Sequence, residues 1–208
     1  MKIRHLPRTV SYGILCLAVS AVFNFRLSGQ CPEFQGELGA VGVLTARSAD
    51  RVPDADRECV RTALVVLEGA KSARNIPLLI SYLSFRRDDY LGEKEGFMTR
   101  AVVEGDRYPA VLALAETGHD AYIPLVMTVE SASSTPLVRH NASHAILIGK
   151  RELSGLGSGL EYLRDAEVAT NAEGKKAIED ALQFLLTVPT CALYKSECEA
   201  IVLKGAQH

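Results

Sequence analysis

His140 and His144 stand four residues apart in a stretch of helical character, the spacing that turns two imidazoles toward one metal ion. In the HExxH helix of zinc peptidases, a glutamate beside the first histidine is the general base. Asn141 holds that place here, and an amide cannot take up the proton. The pair supplies only half of a four-ligand site, so neither a metal nor peptidase chemistry is expected. His144 lies among Ala142, Ala145 and Ile148 and reads as a helix-interface residue. Asn141-Ala142-Ser143 matches a glycosylation sequon, but its mid-helix position makes it uninformative.

Other constellations fail at the residue that would carry the chemistry. Gly155, Gly157 and Gly159 precede a helix, as in a phosphate-binding loop, yet Leu160 stands where the last glycine of GxGxxG belongs. No lysine follows in Walker fashion, and the glycines read as a turn between helices. No serine lies in a GxSxG elbow. Glu93 and Glu95 sit in a charged stretch where solvation explains them. The expectation is therefore a chain without catalytic residues, cofactor or metal, acting by binding rather than by chemistry.

The first thirty residues have the form of an export signal. Lys2, Arg4 and Arg8 form a basic start, and an apolar run from Val10 to Phe23 follows, shorter than the about 20 residues that span a bilayer as a helix. Ser28-Gly29 is the better-placed cleavage site. Leu27-Ser28-Gly29 also resembles the start of a lipoprotein box, but Gln30 replaces the required cysteine and Cys31 comes one position late. The alternative is an uncleaved membrane anchor. Without residues 1–30 the chain keeps 19 basic and 25 acidic residues, a net charge of −6 that argues against a nucleic-acid partner. Its localisation is expected to be periplasmic or secreted.

Export makes the cysteines informative. Cys16 lies within the apolar run, which leaves Cys31, Cys59, Cys191 and Cys198, an even number suited to disulfides in an oxidising compartment. Four cysteines allow three pairings. Pairing neighbours, Cys31 with Cys59 and Cys191 with Cys198, would fasten each end of the chain. A continuous helix would hold Cys191 and Cys198 about 10 Å apart, beyond the roughly 7 Å a disulfide spans. The chain must therefore turn back between them, after Pro189.

The elements that position these residues are helices. Between Cys31 and Cys59, Gly36, Gly39, Gly42 and Pro53 interrupt any long pattern, so residues 31–56 read as an extended N-terminal arm, with a short strand at Val41 to Thr45. From there the 3.6-residue period takes over. Val60, Ala63, Leu64 and Leu67 mark one helix, and a partner runs from about Ala73 to Phe85 with Ile76, Leu79, Ile80 and Leu83 inward. Further helices are expected over Tyr108 to Thr117, over a stretch capped by Asp120 and ending at Glu130, and from a Thr135 cap to Gly149. Two more follow, one capped by Ser158 and one from about Glu173 to Thr187, before a C-terminal cap at 189–208.

Ile76-Pro77-Leu78-Leu79 recurs 47 residues later as Ile123-Pro124-Leu125-Val126. That period belongs to two-helix repeats, whose units bury their apolar faces only by stacking. With their Ala-x-x-Leu stretches and Gly or Asp/Asn breaks, residues 57–188 resemble HEAT repeats. The resemblance implies an all-α fold, an α-solenoid of antiparallel helix pairs, with a concave groove lined by the second helix of each pair and used for peptides or proteins. The segment 86–107 interrupts the array, and Arg86, Arg87, Asp88, Tyr90 and Phe97 within it are the expected partner contacts, charges for steering and aromatics for anchoring. The alternative is a helical-repeat enzyme accessory or lyase-like protein gripping a small ligand near His140 and Tyr82. A membrane partner is expected only if the N-terminal segment stays uncleaved.

Overall fold

The computed structural model describes residues 36–87, 107–155 and 157–204, which belong to one compact unit. Among the described residues every regular element is a helix. The α-helices are α1 (Gly36–Thr45), α2 (Asp54–Ala70), α3 (Ile76–Ser81), α4 (Pro109–Thr117), α5 (His119–Glu130), α6 (Pro136–Ser154), α7 (Ser158–Ala169), α8 (Ala172–Leu185), α9 (Pro189–Leu193) and α10 (Lys195–Lys204). The chain is thus all-α. None of these helices is long and apolar enough to cross a membrane.

The helices make two runs of neighbours. α2 packs on α4 and α4 on α6, while α3 packs on α5 and α5 on α8; α4 touches α5, and α6 touches α8. α7 lies against α6 and α8 and receives α10. The core follows the expected faces: Val60, Ala63, Leu64 and Leu67 of α2, Ile76 and Leu79 of α3, and Ile178, Ala181, Leu182 and Leu185 of α8 are all buried. Helix α2 ends at Ala70 and α4 at Thr117, 47 residues apart, whereas α3 and α5 begin 43 residues apart, at Ile76 and His119. The short 3-10 turn Ala73–Asn75 before α3 corresponds to the first turn of α5, so Pro77 starts a helix whereas Pro124 lies inside one.

Several expectations are corrected. Residues 36–45 form α1 rather than an extended arm or strand. Ala40, Val43 and Leu44 recur at helical spacing and bury against α2, and that packing outweighs the poor helix propensity of Gly39 and Gly42. Tyr82 Oη donates to the Leu44 carbonyl at 2.8 Å, and Asn75 Nδ2 to Glu37 Oε1 at 2.9 Å, tying α1 to the end of α3 and the turn before it. Helix α6 continues past Gly149 to Ser154. A Cβ at Gly149 would lie 2.9 Å from the Ala115 carbonyl oxygen, so this glycine serves the approach of α4 and α6, not termination. Neither Asp120 nor Ser158 caps a helix: α5 begins at His119 after Gly118 (φ +74°), and Ser158 is the first residue of α7, its hydroxyl donating to the carbonyls of Gly155 and Lys150. Thr135 caps α6 as expected, accepting from the Val138 amide.

The C-terminal disulfide is present. Cys191 and Cys198 are bonded with Cα atoms 5.7 Å apart, reached because the chain breaks at Tyr194 between α9 and α10. Cys59 is also disulfide-bonded, whereas its expected partner Cys31 lies outside the described residues.

Candidate interaction face

The two histidines do not share a site. The His140 ring stacks on Phe184 of α8, centroids 4.0 Å apart and planes 1° from parallel. Burial lowers its pKa, opposed by nearby Asp180 and reinforced by Arg139. His144 is only 4% exposed, and burial drives its pKa down to about 4. Among the described residues no three His, Cys, Asp or Glu side chains converge on a common metal position. Asn141 between them is buried and donates from Nδ2 to the Leu83 carbonyl at 2.6 Å, joining α6 to the chain just after α3.

Tyr82 is buried as well, so it and His140 do not line one ligand groove. The glycine stretch is a packing device. Gly155 closes α6 at φ +96°, a Cβ on Gly157 would meet Ile201 Cδ1 at 2.6 Å, and one on Gly159 would meet Leu147 Cα at 2.7 Å. Beside it, the Lys150 ammonium lies 4.7 Å from the Tyr122 ring centroid and 4.3 Å from that of Tyr162, stitching α5, α6 and α7 together.

Of the expected contacts in the 86–107 segment, Asp88, Tyr90 and Phe97 lie outside the described residues. Arg86 is exposed, and its carbonyl accepts from Arg57 Nη2. The Arg87 amide donates to the Arg107 carbonyl at 2.9 Å, so the two ends of the segment are pinned together. Arg57 also covers the Phe85 ring, 5.1 Å from its centroid.

What residue-by-residue reading missed lies on α5 and α8. Ile123 and Met127 are 64% and 65% exposed, one turn apart on α5. Glu130 continues the stripe at i+7. It opens into a groove of about 400 Å³ whose walls include Arg139 of α6 and Glu173, Lys176 and Asp180 of α8. The i, i+4, i+7 spacing of Ile123, Met127 and Glu130 was the available signal, but a buried face has the same period. Ile76, which opens the same Ile-Pro-Leu stretch as Ile123, is in fact buried.

Compared with models of known families, with curated proteins and with solved structures, the chain matches none.

Proposed function

We propose that this chain is an exported α-solenoid of HEAT-like antiparallel helix pairs that acts as a scaffold binding a protein or peptide, without catalysis or cofactor. The observation that carries the reading is the apolar stripe of Ile123 and Met127, left open on the helix in the middle of the α3, α5, α8 run. Two large apolar side chains adjoining a charged groove are the composition of a recognition surface, an apolar centre beside a polar rim. The two runs of packed neighbours support the solenoid, α2, α4 and α6 forming one layer and α3, α5 and α8 the other. The Cys191–Cys198 bond and the signal-like start support an oxidising compartment.

Cross-linking in the native envelope, followed by affinity purification of the tagged full chain, tests the reading. A protein recovered with the wild type and lost with Ile123→Ser/Met127→Ser is the expected result. Recovery unchanged by the double substitution would move the interface off α5. Absence of any cross-linked protein under conditions that label a control envelope complex would remove the scaffold role.

A further inference from the structure

The charges around the α5 stripe narrow the choice of its occupant. Among the described residues, Glu130, Glu173 and Asp180 form no ion pair, and neither does Lys176. Arg139 donates from Nε and Nη2 to the Ser131 carbonyl at 3.3 and 3.0 Å, so its guanidinium is partly engaged by backbone. Three carboxylates against two cations leave the groove with one uncompensated negative charge. Burial of the nearby His140 ring favours its uncharged form, against the pull of Asp180.

Geometry sets where the answering charge must come. Seven residues at 1.5 Å per residue place Ile123 about 10 Å from Glu130 along α5. A helix laid along α5 with apolar residues at i and i+4 and a Lys or Arg at i+7 covers Ile123 and Met127 and delivers its cation to the groove. A second copy of this chain would offer the same stripe with a carboxylate at its end instead of a cation. An anionic membrane surface would meet an acidic groove on a chain of net charge −2, an unfavourable pairing. Resting on the binding role proposed above, we infer that the α5 stripe and its groove receive an amphipathic helical segment of a partner protein that carries one basic residue two turns from its first apolar anchor.

The test is selection of a random helical-peptide display library on the full-length chain, followed by fluorescence anisotropy of the enriched peptides. Enriched peptides should carry the apolar i, i+4 pair and a Lys or Arg at i+7. Replacing that basic residue by Gln should weaken binding at least tenfold. Ile123→Ser/Met127→Ser should abolish binding, and Glu130→Gln/Asp180→Asn should weaken it and flatten its salt dependence, with unchanged circular dichroism in both variants. Enriched peptides without the basic residue, or binding insensitive to both double variants, would overturn this inference while leaving peptide binding elsewhere intact. Self-association that sedimentation detects in the wild type and not in Ile123→Ser/Met127→Ser would also overturn it, in favour of a second copy. Failure to enrich any peptide would overturn the inference and the binding role together.

Discussion

At Gly159 the absent side chain is the reason α6 and α7 can meet. A Cβ there would lie 2.7 Å from Leu147 Cα and 3.2 Å from the Ile146 carbonyl, and backbone cannot swing aside as a side chain can. Gly159→Ala should therefore destabilise the protein by roughly 2 to 3 kcal/mol in urea titration. Gly42, exposed within α1 and with nothing near its missing Cβ, is the contrasting case: Gly42→Ala should stabilise by up to about 1 kcal/mol. His144 makes a second residue-scale prediction. Its pKa falls from 6.5 in the unfolded chain to about 4 when buried, so the unfolded state binds the extra proton between those values. Stability is fully present above pH 6.5 and declines as pH falls toward 4, by about 1.4 kcal/mol per pH unit once well below 6.5. Urea midpoints at pH 7, 6 and 5 should show this slope, and His144→Leu should flatten it.

Among the elements, α10 lies at the C-terminal edge of the unit. It packs mainly on α7 and is held at its start by the Cys191–Cys198 bond. Further along, Arg164 of α7 donates to the Val202 carbonyl while pairing with Glu167 and with Glu179 of α8. The disulfide closes a short loop, so its loss should cost about 2 kcal/mol, less than a long-range bridge would. Amide exchange of Cys191→Ser/Cys198→Ser should accelerate in α10 and remain slow in α2, α4 and α6; uniform acceleration would show that α10 unfolds only with the rest. Helix α1 is the opposite case. Its glycines suggested an extended arm, yet Ala40, Val43 and Leu44 give it a buried face and the Tyr82 hydroxyl holds its end. Tyr82→Phe should cost about 1 kcal/mol with the helical content unchanged.

Across the described residues, α2 and α8 lie in different runs and are linked mainly through intermediates such as α4, α5 and α6. Substitutions in them should then act independently. Val60→Ala in α2 and Ile178→Val in α8 should each destabilise, the second by about 1 kcal/mol, and the double variant should equal their sum within about 0.5 kcal/mol. A larger coupling would mean that the array behaves as one indivisible core, contrary to a repeat scaffold.

The all-helical class, most helix positions, the Thr135 cap and the turn between Cys191 and Cys198 were legible in the residue pattern, because helix period, capping chemistry and disulfide reach are local properties. The identity of α1 was not, since its glycines are tolerated only through burial against a helix distant in sequence. Nor was the role of Gly149, which follows from the nearness of Ala115. The fates of Ile76 and Ile123 separate for the same reason: the same Ile-Pro-Leu start gives one buried and one exposed side chain. Local sequence sets which face of a helix is apolar, but whether a neighbour covers that face is a property of helices brought together from far along the chain. The candidate interaction surface exists only at that second level.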